Sequence, residues 1–500
     1  MKLRRGGVLI AVTVPAALLV QGCLFDPPDC ELCVEPGIDV CIPAEGHKPP
    51  PDACGTFVSS SLGDDAAAGS KAAPLRSLGA ALARANPGAR IYACGELFEE
   101  AVVVPPAVSL FGGLDCTDGF WYAPTLDRTE IVAPRGVPAI TVTSHAEAAA
   151  LPETRIVDVR AVAAASDEPG ASSIAAIVDH AAVVFVRTTL VATDAVDGAD
   201  GAPADEPATP GEDGQPGAQA CTHSIVPGGP GVATACADTS STGGEGGDGG
   251  SSEGEDGEDG APLVVVNHGT GATTGVCIPG TPGAPGAPGE TGKGGTSLGA
   301  IDRNGYTGQD GTDGTPGTLA QGGGGGGGAK GGTGPWGCPS SSKAGGASGG
   351  GGGAGGCGGK GGRGGKAGGS SIAIISLSST ILFEESTLVA GRGGDGGQGG
   401  PGQLGGLGGK PGAGGPPYGS LAPGCQGGPG GAGGRGGRGG GAAGGHSLGV
   451  AFSGAELALH GANVSVSAPG KGGSAAAAGF GDDPGAGKDG LAAATLEFAP

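Results

Sequence analysis

Apolar residues in this chain fall into short islands, separated by long polar and glycine-rich runs. Many islands are short, continuous apolar runs rich in β-branched residues, and such runs between glycine- and turn-rich segments read as strands. The pattern predicts strands at 90–95, 102–104, 108–113, 129–132, 139–142, 155–164, 174–179, 183–192, 263–266, 372–377, 381–390, 448–452, 457–466 and 491–498. Three stretches, 173–198, 371–396 and 447–472, superimpose without a gap. Ile174, Ile372 and Leu448 coincide, then Val183, Ile381 and Leu457, then Phe185, Phe383 and Leu459, then Leu190, Leu388 and Val464. A repeated unit of two short strands cannot bury its own apolar face, so its copies must stack on neighbours. The expected stack has about eight rungs and, at ~4.8 Å per strand, a length of ~35–40 Å.

A 3.6-residue period appears once, where Pro74 opens a short helix with Leu75, Leu78 and Leu82 on one face. Such a helix covers the open end of a strand stack and blocks edge pairing. Three inserts, at 199–260, 267–370 and 391–446, carry glycine in period three, as in Gly283, Gly286 and Gly289 or Gly427, Gly430 and Gly433. That is the repeat of polyproline II. Flexible coil, polyproline-II strands packed side by side, and a collagen-like trimer are all compatible with it.

Phe98-Glu99-Glu100-Ala101-Val102-Val103-Val104 after the strand and turn at 90–95, and then Val108-Ser109-Leu110-Phe111-Gly112-Gly113, complete an ordered set over 55–125. Capping helix, strand, "G-x-[FY]-x-E" and "V-S-L-[FY]-G-G" together resemble the opening of bacterial right-handed parallel β-helices of the pectin-lyase-like type. The resemblance implies an all-β, right-handed parallel β-helix (solenoid) with a short N-terminal capping helix and long Gly-rich, partly disordered insert loops. It implies little about activity. The glycine tracts resemble those of PE-PGRS surface proteins of mycobacteria, without that family's N-terminal domain.

The N-terminus bears on the compartment. Lys2, Arg4 and Arg5 precede an apolar run from Val8 to Val20, too short to span a bilayer and shaped like a signal h-region. It ends in Leu19-Val20-Gln21-Gly22-Cys23, which resembles the lipobox of bacterial lipoproteins. The resemblance implies lipid attachment at Cys23 after removal of 1–22, a membrane held through the lipid anchor, and, because Leu24 follows, sorting to the outer membrane or cell surface.

Thirteen cysteines are many for a reducing compartment, and those remaining without Cys23 are even in number, as in an exported disulfide framework. Cys94 and Cys116 flank consecutive strands and are the expected bridge. The order along the chain is a signal peptide at 1–22, a Cys/Pro-rich stalk at 23–54, an N-terminal stack at 55–198, acidic Gly-rich inserts at 199–370 and C-terminal rungs at 371–500. Cys30 and Cys33 form a lone C-x-x-C pair without the second pair a zinc site needs. The net charge of -23 argues against nucleic acid, whose affinity rests on Lys and Arg, and against anionic lipid.

Signals for chemistry are few. Gly346-Ala347-Ser348-Gly349-Gly350 fits a nucleophile elbow only in letters, because it lies in a glycine tract. The histidines at 47, 145, 180, 223, 268, 446 and 460 have no metal spacing. Glu245, Asp248, Glu253, Glu255, Asp256, Glu258 and Asp259 crowd one insert and read as a solvated acidic loop, not a calcium site. Asp158 and Arg160 alternate onto one strand face, where a surface ion pair is the simplest reading. Trp121, Tyr122, Trp336 and Tyr418 are nearly all that a carbohydrate groove could use.

These features favour a lipid-anchored envelope protein without catalysis, metal or cofactor, of structural, adhesive or matrix-contact role, with glycans or other envelope components as partners. A polysaccharide lyase or hydrolase of the resembled fold is the alternative, and a passive glycine-rich spacer is a second.

Overall fold

The computed structural model describes residues 39–124, 128–144, 152–203, 206–335, 337–454, 457–475 and 483–499. It divides into two units, Met1–Ile42 and Pro43–Pro500. Of the first, the described residues form a turn in which the Cys41 N–H donates to the Asp39 carboxylate at 3.0 Å. Cys23, Cys30 and Cys33 lie outside the described residues.

The second unit is nearly all β, with three parallel sheets. The first runs Thr56–Val58, Arg90–Cys94, Ser109–Asp115, Thr154–Val157, Ala182–Val186, Thr380–Glu384, with Trp121–Tyr122 antiparallel to Ser109–Asp115. The second runs Leu97–Phe98, Thr129–Val132, Val159–Ala163, Thr189–Ala192, Ser386–Ala390, Ala462–Val466. The third runs Val102–Val104, Ile140–Thr143, Ser173–Asp179, Ser371–Leu377, Ser447–Ser453, Ala492–Glu497. From Arg90 to Ser453 the parallel strands visit first, second and third sheet in turn, and the last two, Ala462–Val466 and Ala492–Glu497, return to the second and third. Each parallel path is shorter than the eight rungs expected.

The frame read in the sequence is the register of these sheets. Ser173 pairs with Ser371 and Ser371 with Ser447, while Ile174, Ile372 and Leu448 stand side by side. Val183 pairs with Ile381, Phe185 with Phe383, and Leu190 with Leu388. The copies are therefore adjacent, and the Phe185 and Phe383 rings stack at 5.9 Å. One apolar core draws on all three sheets, with Ile131, Ile140, Ile156 and Phe185 fully enclosed. A second cluster lies where Ile301, Tyr306 and Phe498 pack on Ile174, Ile372 and Leu448 of the third sheet, so its long strands are buried along their whole length.

Several expected elements differ. The islands 155–164, 183–192 and 381–390 are each two strands, broken where Asp158, Arg187 and Glu385 take φ of 56°, 47° and 50°. A buried hydroxyl follows at the later bends. Thr188 Oγ1 donates to the Ile156 carbonyl at 3.0 Å and Ser386 Oγ to that of Phe185 at 3.0 Å, satisfying backbone that the bend leaves unpaired. In the third copy only Ala462–Val466 of 457–466 is strand, so the first sheet ends at Thr380–Glu384. The capping helix is Leu78–Ala83 and begins at Ser77, not at Pro74. Ser77 Oγ accepts from the Ala80 N–H, and Glu100 accepts from those of Leu78 and Gly79. Leu75, Leu78 and Leu82 are buried as their spacing implies. The expected strand at 263–266 does not form. Leu263, Val264, Val265 and Val266 lie on an exposed loop, because no parallel neighbour passes there.

The glycine-rich inserts are ordered, and the reading of them as partly disordered loops is corrected. Because 263–266 is no strand, 199–260 and 267–370 form one insert; that insert, 391–446 and a third after Val466 each leave between a second-sheet and a third-sheet strand, after Ala192, Ala390 and Val466. In them hydrogen bonds repeat every three residues. The N–H groups of Asp395, Gly396 and Gly397 go to the Asp197 carboxylate, the Lys471 carbonyl and the Lys366 carbonyl. Those of Gln398, Gly399 and Gly400 go to Asp200, Ser474 and Arg363 in the same order. Three donors in three directions with a three-residue repeat define a polyproline-II helix, whose backbone bonds must be made to neighbours. The inserts are thus a bundle of such helices packed side by side.

Disulfides join Cys94 to Cys116, Cys221 to Cys338, Cys236 to Cys357 and Cys277 to Cys425, and Cys41 and Cys54 are also disulfide-bonded. The last three of the four named pairs lie in the bundle, which has little apolar core of its own. So many bridges suit an oxidising, exported compartment. Among the described residues no helix is long and apolar enough to cross a membrane.

Candidate functional site

The bend between the first and second sheets brings charged residues together. A side chain at such a left-handed position departs from the strand's alternation and stacks on the equivalent bend of the next turn. Asp158, Arg187 and Glu385 therefore form a column of alternating charge, tied by the Asp158 N–H to the Val186 carbonyl at 3.0 Å and the Arg187 N–H to that of Glu384 at 2.7 Å.

The Asp158 side chain is only 5% exposed. Arg187 Nε and Nη2 donate to its two oxygens at 2.8 Å each, and Nη2 also donates to the Tyr122 hydroxyl at 2.8 Å. The Tyr122 hydroxyl donates to Asp158. Burial pushes the Tyr122 phenol well above its ordinary value, and the hydrogen bond and charge of Asp158 push it further. The Arg187 guanidinium is raised first by its hydrogen bond to Asp158. Tyr122 thus stays protonated, Arg187 stays cationic, and both Asp158 oxygens are occupied.

Beside this clamp is a groove of about 640 Å³, lined among others by Glu45, Tyr122, Arg128, Arg187, Thr189 and Glu385. Glu45, Arg128 and Glu385 make no ion pair among the described residues. The groove can hold a polar molecule through hydroxyls and free charges. Asp158 is not an available base, since removing it from Arg187 would strand a half-buried cation.

Asp158 and Arg160 do not meet as an ion pair. Asp158 belongs to Arg187 and Tyr122, whereas Arg160, on the strand, pairs with Glu130 of the preceding turn. Arg187 and Glu385 were missed in the sequence although it carries a signal for them. The repeat frame sets both opposite Gly461, whose φ is 80°, and His180 and Ser378 opposite Gly454, at 101°. A glycine in one copy marks a left-handed bend in all.

Among the described residues no group of His, Cys, Asp and Glu is disposed for a metal. His446 is buried, with Nδ1 accepting from the Leu491 N–H and Nε2 donating to the Leu298 carbonyl, both at 2.9 Å. The acidic insert uses Asp248, Asp256 and Asp259 to cap backbone N–H groups of Gly228, Gly271 and Asn267. Trp121 and Tyr418 are exposed, and His145 and Trp336 lie outside the described residues.

No known protein family matches the chain, and no curated protein matches it. Among solved structures it is similar to the GH136 lacto-N-biosidase from Eubacterium ramulus, at 14% identity over 27% of this chain and 26% of that one, with a TM-score of 0.21. The likeness spans about a quarter of either chain and carries no argument about activity.

Proposed function

We propose that this is an exported, lipid-anchored protein of the outer membrane or cell surface, with a structural, adhesive or matrix-contact role and no catalysis. Its three parallel sheets are the walls of a right-handed β-helix, and its inserts a PGRS-like bundle held out from one corner. The observation that carries the reading is the ordered bundle: three inserts leave successive turns at the same corner and hydrogen-bond to one another. Flexible linkers would not need such order, whereas a rigid element for display or contact does. The Asp158–Arg187–Tyr122 clamp supports the non-catalytic part, since its one deeply buried carboxylate is already committed.

The anchor rests on the Val20-Gln21-Gly22-Cys23 sequence. The expected outcome is palmitate incorporation that disappears in Cys23→Ser, together with reaction of exposed lysines such as Lys360 and Lys410 with a membrane-impermeant amine reagent on intact cells. Palmitate labelling independent of Cys23 would exclude the anchor, and lysines protected until lysis would exclude surface display. The alternative, a polysaccharide lyase or hydrolase, draws on the groove and its free Glu45 and Glu385. Release of oligosaccharides from envelope glycans, abolished in Glu385→Gln, would replace the proposal with it. The passive-spacer alternative predicts that deleting 391–446 leaves adhesion unchanged.

A further inference from the structure

The loop at 261–266 inverts the usual polarity of a protein surface. Its two legs, 254–260 and 267–272, are joined by the Gly254 N–H to the Ala272 carbonyl and the Gly257 N–H to that of Gly269, both at 2.8 Å. The loop's interior is polar. Gln321, 1% exposed, donates through Nε2 to the carbonyls of Gly260 and Val265 at 2.9 and 2.7 Å and accepts the Val265 N–H at 3.1 Å. Asn267, also 1% exposed, accepts the Gly260 N–H and donates to the Gly322 carbonyl at 2.8 Å. Asp259 accepts the N–H groups of Asn267 and His268.

These bonds fix the backbone and leave the aliphatic side chains outside. Leu263, Val264, Val265 and Val266 are 66%, 65%, 47% and 69% exposed. Four consecutive exposed aliphatic residues contribute nothing to a core, and such a patch marks a binding surface. The leg that leads into it carries Glu255, Asp256 and Glu258, with Glu253 just before it, all exposed and in no ion pair among the described residues. Negative potential around an apolar tip selects against an anionic lipid surface and against a second copy of this acidic chain. It favours a partner whose own apolar patch is ringed by cations.

We propose that the 263–266 tip docks a partner protein presenting an apolar patch bordered by Lys and Arg. The inference rests on the contact role proposed above, but its failure leaves that role standing, because display is read by labelling of intact cells and not by this surface.

The test uses the full chain and a fluorescent amphipathic peptide with Leu on one face and Lys on the other. Anisotropy is expected to report binding that weakens at least tenfold in V264S/V266S at an unchanged melting temperature. In E255Q/E258Q it is expected to weaken several-fold at low salt and lose its salt dependence. Should V264S/V266S melt lower, V264T, which keeps the branched shape, carries the comparison. Equal binding of a Leu/Glu peptide, or full affinity in the tip variants, overturns the proposal. So does tip-dependent binding to phosphatidylcholine vesicles in place of the peptide, or tip-dependent dimerisation measured by light scattering.

Discussion

At the scale of single residues, the number of glycines in each triplet records how many backbones surround that helix of the bundle. Gly323, Gly324 and Gly325 donate to the carbonyls of Gly353, Thr281 and Glu258, three different neighbours, and the whole tract is buried. At the edge, 283–295 keeps a glycine at every third position, 283, 286, 289, 292 and 295, for a backbone partner, with one extra at Gly294. Its Ala284, Ala287, Glu290 and Lys293 N–H groups are capped by Gln321, Thr318, Thr315 and Thr312, and prolines fill positions 285 and 288, where an N–H would have no acceptor. A Cβ on Gly325 would lie 1.8 Å from the Glu245 carbonyl oxygen, whereas one on Gly275 would meet nothing within 4 Å. Gly325→Ala is therefore expected to cost about 3 kcal/mol or more and Gly275→Ala almost nothing, measured by chemical denaturation. His446 adds a pH dependence. Burial lowers its pKa from 6.5, against a smaller opposing effect of the Leu298 carbonyl. The folded state thus binds fewer protons than the unfolded one. The stabilisation is fully present above about pH 6.5 and is lost as the pH falls through the depressed folded value. Melting temperatures recorded between pH 7.5 and 5.5 should fall in the native chain and stay flatter in His446→Gln.

At the scale of elements, the bends decide what the strands can present. Asn tolerates a left-handed φ at least as well as Asp, so Asp158→Asn tests the charge of the clamp without straining the bend. With Arg187 still 43% exposed, the loss should be about 1–2 kcal/mol, below that of a fully buried pair. Arg187→Gln should cost a similar amount, and the double variant less than the sum of the two in thermal unfolding. The stacked strands were legible because Ile174, Ile372 and Leu448 repeat in one frame, and register in a parallel stack follows directly from such a frame. The bends were not read, since Asp158, Arg187 and Glu385 interrupt continuous apolar islands without a glycine of their own. Leu263 to Val266 misled because an apolar run has the same letters whether it is buried in a sheet or held outward by Gln321 and Asn267. Of the clamp, Asp158 was visible as a charge on a strand, but its partners depend on which turn follows it 29 residues later. That relation belongs to the stack, not to local sequence.

At the scale of the whole molecule, two kinds of cohesion meet. The parallel sheets enclose large apolar side chains, and their stability follows from burial. The bundle buries mainly glycine backbone, so its hydrogen bonds exchange water for peptide partners with a modest net gain each, while every ordered glycine gives up much conformational freedom. Chain constraint must supply part of the difference. Cys221–Cys338, Cys236–Cys357 and Cys277–Cys425 span 117, 121 and 148 residues, and closing loops of that size restricts the unfolded chain by about 4–5 kcal/mol for each bridge in the entropic account. Cys94–Cys116 spans only 22 residues beside a core that is already apolar. Reduction should therefore act unevenly. Calorimetry of the oxidised protein is expected to show the bundle and the sheets unfolding close together, and after reduction the bundle should separate into an earlier transition. Replacing the three bundle pairs with serine should reproduce that split, whereas Cys94→Ser with Cys116→Ser should lower the later transition alone. A single transition that moves uniformly on reduction would mean that the bundle draws its stability from the sheet strands it continues, and that the bridges only hold what the stack already orders.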